Sequence, residues 1–439
     1  MSGLHPLGST VPAAGLPSED RGVLRFLTCG SVDDGKSTLI GRLLYDSRAI
    51  LADALHALEA SSRKRGLAGL DLSLLTDGLS AEREQGITID VAYRYFATGT
   101  RKFIIADAPG HAQYTRNMVT AASTADLALI LVDARRGVQP QTRRHAALAH
   151  LLGIRHLVFV VNKLDLVGYD RGVFEGLKGE LEAFGRSLGL AGPAFVPISA
   201  LEGDMVVSRG DRLPWYDGPT LLELLEAAPG EARPADRPFR FPVQLVCRPR
   251  TAGLPEFRGY QGRIASGEVA VGDRILALPS GRATRVAGLR ILDTRLERAV
   301  AGQSITLLLD EDLDISRGDL LGSLESPATP AVELGATLCW LSDRPYSRGQ
   351  RLLLRHTTRE ARARIPDITG RLDLHTLRLE AAEGLEVNDI AEVRLRLQQP
   401  VFADPYAQNR ATGAFVLIDE ATHDTVAAGL VRTVSGGRP

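Results

Sequence analysis

Cysteine is almost missing from this 439-residue chain: Cys29, Cys247 and Cys339 are the only three, and they lie far apart. No Cys-x-x-Cys pair exists. That excludes a zinc site of the usual spacing and a disulfide framework, and leaves three small side chains suited to burial in a reducing compartment. Long apolar runs are missing too, so no segment is expected to span a bilayer. Residues Met1 to Gly22, rich in Pro, Gly and Ser, lack the charged start and apolar centre of a secretory signal. A cytoplasmic location is expected. Charge of one sign is not in excess: the net charge is -1, so no overall positive field draws the chain to nucleic acid or to an anionic membrane, and neither is expected as a partner. No lysine follows Lys178, which excludes a lysine-dependent phosphate loop beyond that point.

What is present suits a soluble protein of two or three domains, 44% hydrophobic and 24% charged. After a flexible segment (1–22), the pattern from Leu24 to about Ala228 alternates strands and helices. Buried-strand runs occur at Arg25–Cys29, Lys102–Ala106, Leu127–Val132, Leu157–Val161 and Ala194–Ile198. Leu39, Ile40, Leu43 and Leu44 share one helical face, as do Val173, Leu177, Leu181, Phe184 and Leu188. Thr220 and Glu223 have the spacing of a capping box. This alternation predicts an α/β domain over 23–230, with a mostly parallel sheet and helices on both faces. Residues Asp46–Glu84 form an insertion, with a helix expected around Ile50–Leu58. Pro229–Pro238 reads as a linker. Short alternating runs beyond it (Phe241–Cys247, Gly262–Ala265, Val269–Val271, Arg274–Leu278) predict a β-barrel over 239–331, and a second over 332–433.

The chemistry concentrates at the carboxyl ends of the α/β strands, where ligands bind in such sheets. Gly30-Ser31-Val32-Asp33-Asp34-Gly35-Lys36-Ser37, followed by Thr38, fits GxxxxGK[ST] between a strand and a helix. Glycines let backbone N–H groups close around phosphate oxygens, Lys36 reaches the β- and γ-phosphates, and the Ser37 hydroxyl ligates Mg²⁺. Asp107-Ala-Pro-Gly110-His111 ends a later strand; Asp107 is placed to hold Mg²⁺ through water and the Gly110 N–H to sense the γ-phosphate. Thr88, in Gly86-Ile-Thr-Ile-Asp90, is an ordinary strand residue in isolation, and a second Mg²⁺ and γ-phosphate ligand beside the other elements. Asn162-Lys163-Leu-Asp165 selects guanine, because the Asp165 carboxylate accepts from N1–H and N2–H, which adenine does not offer. Ser199-Ala200-Leu201 follows the next strand and is expected to place the Ala200 N–H on guanine O6. His111, beside the γ-phosphate, is the candidate for orienting the attacking water. Asp33 is either a solvent-facing loop residue or the partner of a monovalent cation at the phosphates. Five elements in this order read as a GTP- and Mg²⁺-dependent GTPase, with Lys36, Thr88 and His111 in the catalytic roles.

With two barrels behind it, this set resembles the translation-factor GTPases typified by elongation factor Tu. The intervals narrow the resemblance. DGLSAEREQGITIDVAYRYF (Asp77–Phe96), RKFIIADAPGHAQYTRNMVTAASTADLALILVDARRGV (Arg101–Val138), QTRRH (Gln141–His145), FRGYQGRIASGEVAVGD (Phe257–Asp273) and DISRGDLL (Asp314–Leu321) are similar to the GTPase large-subunit family of bacterial sulfate adenylyltransferase. The likeness runs from about Arg25 to Val431. It departs at Ala108, where the family has threonine, and at Met205, where asparagine is usual and only a local surface is expected to change.

The resemblance implies a two-part machine. A small catalytic subunit of another fold forms adenosine 5′-phosphosulfate and diphosphate from ATP and sulfate, and the GTPase subunit couples GTP hydrolysis to it. ATP and sulfate sites are then expected on the partner. Some relatives carry an adenylylsulfate kinase, itself a P-loop enzyme; with no lysine after Lys178, that kinase is expected to be separate. Two other readings share the fold and the GTP site: a translation factor that binds aminoacyl-tRNA, and a purely regulatory switch.

Overall fold

The computed structural model describes residues 22–50, 53, 55, 56, 58, 70–75, 91–109, 115–190, 192–230, 236–248, 258–373 and 376–436. Thr88, Gly110 and His111 lie outside these residues, as do Leu51, Ala52, Ala54 and Ala57 of the helix expected at Ile50–Leu58, of which Asp53, Leu55, His56 and Leu58 are helical.

Six strands build the first sheet among the described residues: β1 (Val23–Cys29), β2 (Ala92–Ala97), β3 (Lys102–Asp107), β4 (Leu127–Asp133), β5 (His156–Asn162) and β6 (Ala194–Pro197). Their spatial order is β2-β3-β1-β4-β5-β6, parallel throughout except that β2 runs antiparallel to β3. Every residue of β4 is buried, as expected for a parallel strand covered on both faces. Its alternate residues feed two cores: Leu127, Leu129 and Leu131 pack on one side, Ala128, Ile130 and Val132 on the other. The edge strand β2 was not anticipated. Its Tyr93 and Tyr95 face solvent and only Phe96 is buried, so its apolar signal is weak.

Helices cover both faces: α1 (Lys36–Asp46), α2 (Thr115–Ala122), α3 (Pro140–Leu151), α4 (Arg171–Leu188) and α5 (Leu221–Ala227). The α1 face of Leu39, Ile40, Leu43 and Leu44 is buried. Thr220 and Glu223 close a capping box on α5, with bonds of 3.2 and 2.7 Å. The other end of α5 has no basic residue of its own. Arg101, 2% exposed, serves it instead, donating to the carbonyls of Leu225, Glu226 and Ala228.

Two barrel sheets follow. In the first, the expected strand Phe241–Cys247 is split: Arg240–Pro242 pairs with Leu320–Gly322, and Leu245–Cys247 pairs with Gly259–Gln261. The chain changes neighbours at Val243, whose N–H donates to Asp319 O at 2.9 Å. The second sheet opens with Thr329–Trp340 and closes on itself, because Leu352–His356 pairs with both Arg359–Leu372 and Ala414–Asp419. Buried Arg240 joins the barrels through a bidentate pair with Asp404, at 3.0 and 2.9 Å. Tyr406 of the second barrel donates to Leu152 O at the end of α3, at 2.7 Å. An α/β GTPase-type domain with a mostly parallel sheet, then two β-barrels, is the fold class read from the sequence. The cysteines stay apart: Cys29 and Cys339 are buried, with thiols pushed up to about 12 by burial, and Cys247 is half-buried.

Candidate nucleotide site

The phosphate loop connects the buried end of β1 to the first turn of α1. Its turn needs left-handed backbone at Asp33 (φ 68) and Gly35 (φ 90). A Cβ on Gly35 would also lie 2.4 Å from Asn162 Nδ2, so only glycine fits there.

The loop carbonyls are taken one after another by side-chain donors. Lys36 Nζ donates to Gly30 O and Ser31 O, both at 3.0 Å. Arg136 donates to Val32 O at 3.1 Å, Lys163 Nζ to Asp33 O, and Asn162 Nδ2 to Asp34 O at 2.9 Å. Gly35 O then accepts the first helical N–H, from Leu39 at 2.9 Å. Burial pushes the Lys36 ammonium below its usual range, against the pull of Asp107 and Asp34. Asp34 is 1% exposed and accepts the Ser31 N–H at 2.6 Å. Burial pushes its carboxyl up to about 6, with Lys36 opposing. The Ser31 hydroxyl is buried without a partner among the described residues, a group that a polar ligand would satisfy.

Ser37 is half-buried in the first turn of α1, and Asp107 is 2% exposed at the end of β3. Asp107 Oδ1 accepts the Thr28 hydroxyl at 3.1 Å. Among the described residues no group of three His, Cys, Asp or Glu could hold a metal. Ser37 and Asp107 are nevertheless hard oxygen donors of the kind Mg²⁺ takes beside substrate phosphates.

The residues expected on the guanine side are tied to the same loop through Asn162 and Lys163. Asp165 is half-buried, in the short 3₁₀ turn Leu164–Val167, and its Oδ1 accepts the Ser199 hydroxyl at 2.7 Å. The Ala200 N–H, expected on guanine O6, donates here to Asn162 Oδ1 at 3.0 Å. Leu201 is 59% exposed.

Residues 21–230 match the family model described as elongation factor Tu GTP binding domain, and residues 333–432 the one described as GTP-eEF1A C-terminal domain-like. The chain is 51% identical over 417 residues to sulfate adenylyltransferase subunit 1 of Cellvibrio japonicus, covering 94% of this chain and 87% of that protein. The chain belongs to the sulfate adenylyltransferase subunit 1 family. A second subunit 1, from Laribacter hongkongensis, is 49% identical over 94% of this chain and 86% of its own length. The bifunctional enzyme CysN/CysC of Mycobacterium tuberculosis is 50% identical over 95% of this chain, which spans 68% of that protein. Among the described residues no helix is long and apolar enough to cross a membrane.

Within this member of the family, four supporting residues escaped the motifs. Asp133, buried at the end of β4, holds Lys163 at 2.9 Å and Arg135 at 2.8 Å. Burial would raise its carboxyl, but these two cations outweigh it and hold the group well below the usual range. Arg42 on α1 donates to Ala200 O at 3.1 Å and to Leu201 O, tying the first helix to the guanine side. Arg136 and Thr28 complete the set. Only Asp133 had a sequence signal, a lone acid ending an otherwise apolar strand. Met205 corrects an expectation: it is fully buried in the core, not on a surface, at the left-handed φ of 60° that asparagine tolerates better.

Proposed function

We propose that this chain is the GTPase subunit of a sulfate adenylyltransferase. It binds GTP with Mg²⁺ and couples GTP hydrolysis to the formation of adenosine 5′-phosphosulfate and diphosphate from ATP and sulfate on a smaller catalytic subunit. One observation carries the reading: Asn162 bonds at once to the phosphate loop and to the guanine-side loop, in a chain half identical to subunit 1 over nearly all its length.

The roles follow from position. Lys36 would exchange the carbonyls of Gly30 and Ser31 for β- and γ-phosphate oxygens, keeping its buried charge paired. Bound Mg²⁺ would neutralise charge on those phosphates, held by Ser37, by Thr88 and, through water, by Asp107. The loop from Gly30 to Thr38 cradles the phosphates, while Gly110 reports the γ-phosphate and His111 orients water. Asp165 reads N1–H and N2–H. A guanine ligand would satisfy its free oxygen and adenine would leave it unpaired, which supports rejecting ATP by about 10⁴-fold. Asp33, exposed at the loop apex, is available to a monovalent cation.

The mixed anhydride of phosphate and sulfate is high in energy, so its formation gains from coupling. The catalytic subunit must then touch a surface that depends on the γ-phosphate, and the segments at Thr88 and Gly110 are the candidates. A separate adenylylsulfate kinase can join the same assembly. Co-purification of the chain with the small subunit, and GTP hydrolysis by the chain alone without adenosine 5′-phosphosulfate formation, tests this division. Product made by the isolated chain would overturn it.

A further inference from the structure

The donors to the phosphate-loop carbonyls belong to known nucleotide motifs except one, Arg136. We infer that Arg136 is a positioning residue of the phosphate loop. It aims one peptide N–H at the phosphates by holding the opposite end of the same peptide unit. This rests on reading the loop as the GTP phosphate site.

The argument starts from peptide geometry. In a trans peptide the C=O and N–H point in opposite directions, so fixing one aims the other. Arg136 donates to Val32 O at 3.1 Å, and the N–H of that peptide belongs to Asp33. Arg136 is the single donor to this carbonyl among the described residues. The next two peptides are fixed by Lys163 on Asp33 O and by Asn162 on Asp34 O. Among the described residues, the Val32–Asp33 peptide therefore depends on Arg136 alone. Asp33 is also left-handed, at φ 68, where a side-chain-bearing residue is strained and the peptide before it needs an external hold.

Arg136 is launched from a rigid turn. Its N–H donates to Asp133 O at 3.0 Å, and its carbonyl accepts Gln139 Nε2 at 2.6 Å. Gly137 completes the turn in left-handed backbone, with its own N–H on Asp133 O at 3.0 Å. The Asp133 carboxylate holds Arg135 and Lys163. The end of β4 thus fixes the loop twice, through Lys163 and through Arg136. The Arg136 side chain is exposed and fills no core space, so its loss should leave the folded domain intact.

The test uses the full chain and two variants, with fluorescent GDP and a fluorescent non-hydrolysable GTP analogue. Arg136→Ala should speed dissociation of both nucleotides about tenfold, as expected for one hydrogen bond from a charged group. The thermal midpoint of the nucleotide-free chain should not move, and the preference for guanine over adenine, which belongs to Asp165, should persist. Arg136→Lys still donates to a carbonyl and should recover most of the loss. Dissociation from Arg136→Ala within twofold of the parent would overturn the inference, as would an Arg136→Lys variant as fast as the alanine one. A parent chain that binds neither nucleotide would instead refute the reading of the loop itself.

Discussion

Asn162 and Asp34 are joined across the sheet by a hydrogen bond of 2.9 Å from the Asn162 amide to the Asp34 carbonyl. The other end of the same amide accepts the Ala200 N–H at 3.0 Å. One side chain therefore sets the distance between the phosphate loop and the guanine side. Asn162→Ala removes both bonds in a buried setting and frees a loop carbonyl, and should weaken GTP and GDP binding by about 10- to 100-fold. Titration calorimetry against both nucleotides checks it. Unchanged affinity would show that the loops hold their spacing without Asn162.

Asp165 should decide the base. Asp165→Asn replaces an acceptor by an amide that can donate, and should lose most affinity for GTP while gaining it for xanthosine triphosphate, whose C2 carbonyl suits that donor. The Ser199 hydroxyl, now bonded to Asp165 Oδ1 at 2.7 Å, keeps an acceptor in the variant. Competition between the two triphosphates reads the switch directly. Equal GTP affinity in mutant and parent would remove Asp165 from the site.

Asp34 and Asp133 should give the nucleotide-free chain opposite pH responses. Burial raises the Asp34 carboxyl from 3.8 to about 6 in the folded chain. A raised acid costs nothing below the unfolded value; its cost grows as pH rises from about 4 to about 6 and levels off above that at about 3 kcal/mol. Asp133 is held low by Arg135 and Lys163, so its stabilisation is present at neutral pH and lost as pH falls below about 4. Asp34→Asn keeps an acceptor for the Ser31 N–H while removing the charge. Its denaturant midpoint should exceed the parent's at pH 8, and the difference should vanish near pH 4. The same shift at both pH values would contradict the assignment.

Legibility in the sequence followed the kind of signal each feature leaves. β4 was readable because a parallel strand buried on both faces is one apolar run, and the α5 cap because both of its side chains sit at fixed spacing. β2 was not readable, since its outward tyrosines blur the pattern and it follows a long insertion. The loop and base motifs were readable as residue types. What they missed is the backbone: Arg42, Arg136 and Lys163 all bond to carbonyls, and a carbonyl is the same at every position. The Ala200 N–H has a protein acceptor, Asn162 Oδ1, that the motif alone does not name. Met205 misled because a loop-like sequence context hid a fully buried left-handed position.

The most direct measurement is sulfate-dependent diphosphate release from ATP by the chain reconstituted with a small catalytic subunit. Rates should be compared with GTP, with GDP and without guanine nucleotide. The account predicts a clear increase with GTP only. Lys36→Ala should abolish that increase and leave the basal rate, because it removes the ammonium that would pair with the β- and γ-phosphates while the adenylyl-transfer site stays on the partner. The same rate under all three conditions would contradict it.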